Sequence, residues 1–116
     1  MGKVKERVKS SESYCAQFQC AVELIGRRWT GAIVRGLLGG VYRFSDLKNA
    51  IPDLSEKMLS ERLKELETMG LVKREVFPET PVRIEYILTP SGQALGNVMD
   101  VIGEWAHEWL ENGKVK

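Results

Sequence analysis

Apolar residues recur at helical spacing in five stretches of this 116-residue chain and alternate with polar residues in two others. The first period indicates amphipathic helices and the second indicates half-buried strands. Glycines follow three of the helical stretches, at 26, 39–40 and 70, where they are typical helix ends. The predicted helices are 13–26, 29–38, 44–50, 55–69 and 90–111, and the predicted strands are 71–76 and 82–88.

Local signals separate the later elements. Pro52 disfavours helical geometry at the residue before it and therefore predicts a turn between two helices. Ser55 is a suitable N-cap for the helix that follows. Pro78 and Pro81 remove two backbone donors and predict a stiff hairpin tip between the strands. The last helix is expected to start at the Thr-Pro pair 89–90, because Pro fits the first helical position.

The element order helix, turn, helix, β-hairpin is that of a winged helix-turn-helix protein. We therefore expect one mainly α domain over residues 13–116, with a small β-hairpin wing. In this fold the second helix of the pair enters the major groove, where base edges present a distinguishable set of donors and acceptors. That helix is residues 55–69, so the sequence predicts a DNA-binding protein.

Helix 55–69 has an apolar side and a polar side. Leu59, Leu63 and Leu66 fall on one stripe at 100° per residue, and the other side is expected to meet DNA. Taken alone, such a Glu- and Lys-rich face is more often a solvated surface, so it is the order of the whole chain that favours DNA binding. The candidate contacts are Ser55, Glu56, Lys57, Ser60, Glu61 and Lys64 on the helix and Lys73, Arg74 and Arg83 on the wing.

The charge of the chain is nearly balanced but unevenly distributed. The formal net charge is +1 at pH 7, and the first 54 residues hold nine Lys and Arg against five acidic residues. Helix 55–69 carries more acidic than basic side chains, so other cations are expected to neutralise phosphates as well. Residues 1–12 are predicted to be a flexible basic tail. Further candidates for phosphate contact are Arg27, Arg28, Arg35, Arg43 and Lys48.

The last helix carries an unusually rich apolar stripe. It covers more surface than one small domain can bury, which predicts a helix packed against a second copy of the chain. Aromatic side chains at this spacing are more often plain core than the lining of a ligand pocket. The stripe consists of Leu95, Val98, Met99, Ile102, Trp105, Ala106 and Trp109.

Several function classes are not supported. Cys15 and Cys20 are too few for a disulfide framework and lack the further ligands of a zinc site. The chain has no phosphate-binding loop and no catalytic motif, and its one histidine, His107, lies between two tryptophans of the last helix, so we expect neither an enzyme nor a metal or other cofactor. Without a membrane-spanning run or a signal-peptide pattern, a cytoplasmic location is expected.

Four sequence blocks in order resemble the HxlR-type winged helix-turn-helix regulators of bacteria and archaea. They are LIGRRWT at 24–30, RFSDLK at 43–48, SEKMLSERLKEL at 55–66 and VRIEYILT at 82–89. The resemblance that rests on them covers about residues 14–112. A single block such as RLKEL is common in amphipathic helices, and it is the ordered set that makes the resemblance specific.

The resemblance implies a homodimer joined through the first and last helices, bound to an inverted-repeat operator on double-stranded DNA. It implies base contacts from Lys57, Ser60 and Arg62 and backbone or wing contacts from Arg43 and Arg83. Arg62 lies beside the apolar stripe, so an ion pair that braces the fold is the alternative for this residue. The dimer interface implied by the resemblance and the apolar stripe contains Phe18, Val22, Val98, Met99, Ile102, Trp105 and Trp109.

Many members of this family carry a cysteine before the tryptophan of the first block, and in a redox-sensing branch its oxidation alters operator binding. Cys15 occupies that position, with thirteen residues between it and Trp29. A thiol in the first turn of a helix is favoured as thiolate, which supports a sensor role. Cys20 is expected to be a small buried residue. An intersubunit disulfide, or a mixed disulfide with a small thiol, is more plausible than a Cys15–Cys20 bond within one chain.

Three functions remain open from the sequence. The first is a regulator, expected to be a repressor, that responds to thiol-reactive compounds through Cys15. The second is a regulator that binds a small aromatic or aldehyde effector between the dimer helices. The third is a winged helix that contacts a protein instead of DNA, which predicts little salt dependence in any residual DNA binding.

Overall fold

In a computed structural model, residues 15–116 form five helices and two β-hairpins. The expected mainly helical architecture with a small wing is confirmed. The basic tail predicted for residues 1–12 lies outside the described residues. In chain order the elements are α1 (Ala16–Ile25), α2 (Thr30–Leu38), α3 (Phe44–Ala50), α4 (Glu56–Thr68), β1 (Val72–Phe77), β2 (Arg83–Leu88), α5 (Pro90–Trp109), β3 (Leu110–Glu111) and β4 (Lys114–Val115).

The hydrophobic core joins α2, α3, α4, β1 and α5. Helix α4 contributes the predicted leucine stripe, and α2 contributes three apolar side chains to the same cluster. Full burial of a Leu, Ile or Val side chain stabilises a fold by roughly 1.5–3 kcal/mol, so this cluster fixes the helix-turn-helix pair to its scaffold. The buried apolar residues are Ile33, Val34, Leu37, Leu47, Leu54, Leu59, Leu63, Leu66, Val72 and Met99.

The predicted N-caps are confirmed. The hydroxyl of Ser55 accepts a hydrogen bond from the backbone N–H of Met58 at 3.1 Å. The hydroxyl of Thr89 accepts one from Gly92 at 3.2 Å and donates one to the carbonyl of Gly70 at 2.7 Å. Each cap satisfies a backbone donor that the first turn of a helix leaves unpaired. Thr89 therefore ties the start of α5 to the turn between α4 and β1.

The wing is an antiparallel pair of β1 and β2 in which Val72 faces Leu88 and Phe77 faces Arg83. Helix α5 begins against the base of this hairpin. A Cβ atom at Gly92 would lie 2.0 Å from the carbonyl oxygen of Leu71, so only glycine allows this approach. The last helix is therefore packed directly on the base of the wing.

The C-terminus differs from the sequence prediction. Helix α5 ends at Trp109 and not near residue 111, and β3 and β4 form a short hairpin after it. Asn112 and Gly113 connect the strands with φ angles of 53° and 76°. An Asn-Gly pair is a strong signal for this turn, and the helical period of the preceding stripe concealed it. No helix within residues 15–116 has both the length and the apolar character that crossing a bilayer requires.

Candidate nucleic-acid interface

The helix-turn-helix pair consists of α3 and α4. Leu47, Leu54 and Leu59 are completely buried and hold the two helices and their turn together. The opposite side of α4 is exposed along its length, so the predicted division into a packed and a free face is confirmed. The exposed positions of α4 include Glu56, Lys57, Ser60, Glu61, Lys64, Glu67 and Thr68.

Ion pairing separates the predicted cations into two groups. Arg27, Arg35 and Lys73 each lie within 4 Å of a carboxylate, at 2.9 Å from Glu65, 3.3 Å from Asp100 and 3.3 Å from Glu75, respectively. Unpaired cations are better placed to neutralise phosphates, because their charge is not already balanced. Within residues 15–116, the candidates that pair with no described carboxylate include Arg43, Lys57, Lys64 and Arg74.

The structure places Arg62 in internal contacts, which makes it a weak candidate for DNA contact. Arg62 is only 9% exposed, and its Nε donates to the backbone carbonyl of Arg28 at 3.0 Å. Its guanidinium also pairs with Glu65 at 3.2 Å. These internal contacts join α4 to the segment before α2. The alternative of an ion pair that braces the fold is confirmed.

Arg83 lies on the wing between two carboxylates. Its guanidinium binds Glu79 and Glu85 and stacks over the ring of Phe77, 3.9 Å from the ring centroid. The hydrogen bond from Arg83 lowers the pKa of the Glu79 carboxyl, and the same bond raises the pKa of Arg83. Since its charge is already balanced, Arg83 is a weaker candidate for phosphate contact than Arg74 on the opposite strand.

A polar cleft of about 350 Å³ separates α4 from the wing. Arg74 and Tyr86 face each other across the hairpin and form one wall of this cleft. Ser60, Lys64 and Glu67 form the helical wall. Two cations, a hydroxyl and a phenol can therefore converge on one anionic group, which is the chemistry of a DNA phosphate contact. We call this the DNA-facing cleft.

Sequence reasoning missed Glu67 and Tyr86 as members of the DNA-facing cleft. The alternation of β2 placed Tyr86 with the apolar residues, and the side chain does pack against the core. Its polar end lines the cleft, as expected for a residue with an apolar ring and a hydroxyl. The signal that could have identified Tyr86 is its position opposite Arg74 in the hairpin register.

Arg43 lies where α3 meets the wing. The residue forms an isolated antiparallel bridge with Glu85, and the neighbouring Tyr42 carbonyl accepts a hydrogen bond from Tyr86 at 2.9 Å. These bonds hold the start of α3 against β2. The exposed Arg43 side chain therefore lies close to the wing, as the prediction of a backbone contact requires.

Both cysteines are free and exposed, and both belong to the start of the described chain. Cys15 is the N-cap of α1, and its sulfur accepts a hydrogen bond from the backbone N–H of Phe18 at 3.4 Å. The prediction that Cys20 is buried is wrong for the single chain, because no residue of α1 is buried. Helix α1 therefore presents both thiols to solvent.

A large apolar surface stays exposed on α1 and α5. Phe18 is 67% exposed and Trp105 is 51% exposed, values far above those of core residues. Met99 is an exception among the predicted interface residues, because it is 5% exposed and belongs to the core of its own chain. We define the dimer face as the remaining exposed set, namely Phe18, Val22, Val98, Ile102, Trp105 and Trp109.

No group of three or more His, Cys, Asp or Glu side chains within residues 15–116 is arranged to hold a metal ion. His107 lines a cleft on α5 together with Arg35 and three carboxylates, of which Asp100 pairs with Arg35. The residues that carry candidate chemistry are thus the cations of α4 and the wing and the two thiols of α1.

Comparison with known proteins identifies relatives over most of the chain. The profile of the HxlR-like helix-turn-helix family matches residues 24–114. YvaP of Bacillus subtilis, described as an uncharacterised HTH-type transcriptional regulator, is 53% identical over 97 residues, which cover 84% of this chain and 90% of YvaP. The transcriptional regulator YodB of the same organism is 44% identical over 99 residues, which cover 85% of this chain and 88% of YodB.

Solved structures agree with these matches. The reduced form of YodB has a TM-score of 0.75 at 44% identity and covers 87% of this chain and 99% of its own. YodB has also been solved after diamide treatment, with a TM-score of 0.71 at 43% identity over 85% and 98% of the two chains. The redox regulator HypR in its oxidised form has a TM-score of 0.77 at 29% identity over 83% and 99%.

Proposed function

This chain belongs to the HxlR-like helix-turn-helix family and is a transcriptional regulator, and we propose that it binds an inverted-repeat operator as a homodimer. In this arrangement each copy places α4 in a major groove, and the two half-sites lie about 34 Å apart on one side of the duplex. Lys57 and Ser60 meet base edges, while Arg43, Lys64 and Arg74 contact phosphates.

The observation that supports this arrangement best is the set of unpaired cations around one exposed helix face. Lys57 and Lys64 lie on α4, and Arg74 lies across the DNA-facing cleft from Lys64. Counterion release on phosphate neutralisation supplies much of the affinity for DNA, so cations without a carboxylate partner are the effective ones. The formal net charge is only +1 and α4 carries more acidic than basic side chains, so the proposal rests on these individual cations and not on the overall charge.

The dimer face supports association of two copies. Its aromatic and aliphatic side chains lie on α1 and α5, the two helices at the ends of the described chain. Exposed apolar surface of this extent commonly marks an interface in a small domain. Two copies joined in this way would hold their α4 helices at a fixed separation, which recognition of an inverted repeat requires.

We further propose that the protein is a repressor and that oxidation or electrophile addition at Cys15 releases it from its operator. Cys15 is exposed at the N-terminus of α1, where its sulfur accepts a backbone hydrogen bond, so oxidants and electrophiles can reach the thiol. YodB, with 44% sequence identity to this chain, has a diamide-treated structure. In a disulfide-forming oxidation, two thiols lose two electrons and two protons and diamide accepts them. The second thiol belongs to another copy of the chain or to a small thiol.

DNA binding is tested by gel shift with the region upstream of the gene at several salt concentrations. We expect a steep loss of affinity with salt and a further loss in Lys57→Ala, whereas the control Lys73→Ala, which removes a paired cation, has a smaller effect. Affinity that does not depend on salt would favour the protein-interaction alternative.

The switch is tested with Cys15→Ser and the matched control Cys20→Ser. We expect diamide to abolish the gel shift of the wild type and of Cys20→Ser but not that of Cys15→Ser. An undiminished diamide response in Cys15→Ser would exclude Cys15 as the sensor and leave DNA binding untouched.

A further inference from the structure

A second cleft lies on the other side of α4, where the end of this helix meets the end of α1. Its volume is about 330 Å³, and it is lined by Leu24, Arg27, Lys64, Glu65, Thr68 and Met69. This volume lies at the lower end of the range of small-molecule sites, which is about 300–1,000 Å³. We call it the α1–α4 cleft.

The wall of the α1–α4 cleft is mainly apolar. Met69, the C-cap residue that follows α4, is 51% exposed although it belongs neither to the dimer face nor to the wing. Leu24 contributes a second apolar side chain from α1. Covering these side chains removes apolar surface from water, so the apolar part of an occupant is stabilised there.

The polar rim of the α1–α4 cleft carries an excess of positive charge. Glu65 is its one lining carboxylate, and this group pairs with Arg27 at 2.9 Å and with the buried Arg62 at 3.2 Å. Lys64 lines the same cleft and pairs with no described carboxylate. The cleft is thus lined by two cations, Arg27 and Lys64, and one carboxylate, and this excess of positive charge favours an occupant with a negative group.

We propose that the α1–α4 cleft binds a small carboxylic acid with an apolar ring or chain, and that this binding weakens the hold on DNA. The apolar part contacts Leu24 and Met69, and the carboxylate pairs with Arg27 and Lys64. Binding of the acid does not depend on the proposed function, whereas its effect on DNA binding rests on that function.

Lys64 connects occupancy of the α1–α4 cleft with binding of DNA. It lines the α1–α4 cleft and also the DNA-facing cleft, where Arg74 is its cationic neighbour. The ammonium group of Lys64 can lie in only one of the two clefts at a time, because they are on different sides of α4. A carboxylate in the α1–α4 cleft therefore withdraws Lys64 from a DNA phosphate, and the bound anion also repels the duplex.

Binding is measured on the full-length protein by NMR with 13C-labelled methionine methyl groups. The chain has four methionines, and Met69 is the one that lines the cleft, while Met58 and Met99 serve as internal controls. Phenylacetate is the probe and phenylacetamide is the uncharged control. We expect a saturable shift of the Met69 methyl with phenylacetate and little change at the two controls.

The charge requirement is tested with Arg27→Gln and Lys64→Gln. Each should weaken phenylacetate binding by about fivefold, as expected for the loss of one partly exposed ion pair, without affecting phenylacetamide. Equal binding of acid and amide, or the absence of a saturable Met69 shift, overturns the proposal. A Met69 shift that follows protein concentration instead of the probe identifies a second copy as the occupant, and this also overturns it.

The link to DNA is tested by titrating phenylacetate into the operator complex. We expect weaker operator binding in the wild type, and in Arg27→Gln the same response at about fivefold higher phenylacetate concentration, in line with its weaker binding of the acid. A Met69 shift without any change in operator affinity overturns the link alone. If the protein binds no operator, the proposed function fails, and the NMR titration still decides whether the cleft binds the acid.

Discussion

Gly92 at the start of α5 and Leu71 at the base of the wing are in direct contact, and a Cβ atom at Gly92 would lie 2.0 Å from the Leu71 carbonyl oxygen. The obstacle is backbone, so no side-chain rotation relieves it. We predict that Gly92→Ala lowers the free energy of unfolding by about 3 kcal/mol, toward the upper end of overpacking effects. Urea unfolding followed by tryptophan fluorescence at fixed protein concentration measures this.

Gly31→Ala is the matched control, because Gly31 is also in a helix and its Cβ would meet the Met99 sulfur at an ordinary 3.5 Å. Replacing glycine by alanine inside a helix commonly stabilises by up to about 1 kcal/mol. Equal stabilities of the two variants would show that α5 does not rest on the wing as described.

Alanine substitutions at Arg62 and Lys57 are expected to affect different properties, namely stability for Arg62 and DNA binding for Lys57. Arg62→Ala should lower the free energy of unfolding by about 2–4 kcal/mol, because Glu65 and the Arg28 carbonyl lose a largely buried partner. Lys57→Ala should leave stability within about 0.5 kcal/mol and weaken operator binding. If Arg62→Ala is as stable as the wild type and binds DNA poorly, the role implied by the family resemblance is restored.

Arg74 and Lys73 are adjacent on β1 and differ in their partners. Lys73 pairs with Glu75 at 3.3 Å, whereas Arg74 lines the DNA-facing cleft. We predict that Arg74→Gln makes the slope of log affinity against log salt less steep by about 0.9, which corresponds to one phosphate contact. Lys73→Gln should change the slope less. The opposite order would assign the phosphate contact to Lys73.

Trp105 and Met99 lie six residues apart on α5, and their alanine substitutions are expected to change different properties, namely dimer formation for Trp105 and stability for Met99. Trp105→Ala should shift the protein toward monomer in sedimentation equilibrium, because half of this large side chain is exposed in the single chain. Met99→Ala should cost about 2–5 kcal/mol of stability through a cavity in the core. A monomeric wild type would exclude the proposed dimer.

The Glu79–Arg83 pair is expected to give a pH-dependent contribution to stability. The pKa of Glu79 is lowered in the folded chain by its hydrogen bond from Arg83, so the contribution is present above the ordinary carboxyl value of 4.5 and is lost as pH falls. Glu79→Gln should therefore be less stable than the wild type at neutral pH, and the difference should disappear as pH falls through the lowered pKa of Glu79. An unchanged difference across this range would contradict the pairing.

Features set by neighbouring residues were predictable from the sequence. The cap at Ser55, the leucine stripe of α4 and the wing each depend on residues a few positions apart. The side-chain contacts of Arg62 and Arg27 were not predictable, because they involve partners that are distant in the sequence. Arg62 contacts the Arg28 carbonyl 34 positions earlier, and Arg27 pairs with Glu65 38 positions later.

The burial of Met99 and the exposure of Cys20 also could not be predicted from the sequence. Both occupy amphipathic helices, and the period alone does not distinguish a side chain that the chain buries itself from one that stays exposed. Met99 packs beneath α2, near Gly31, whereas Cys20 belongs to a helix without any buried residue. Only the relative placement of the helices decides between these outcomes.

The lack of any buried residue in α1 has a consequence for the amount of protein in the cell. A ten-residue helix is marginal in water by itself, and although Ile25 at its end packs against the core, the exposed Phe18 and Val22 leave the rest of the helix open to stabilisation by a further surface. Under the proposed dimer that surface comes from a second copy, and mass action then makes the fraction of ordered α1 rise with expression level. A cell could thus adjust how well the N-terminal thiol is held by changing how much of the regulator it synthesises.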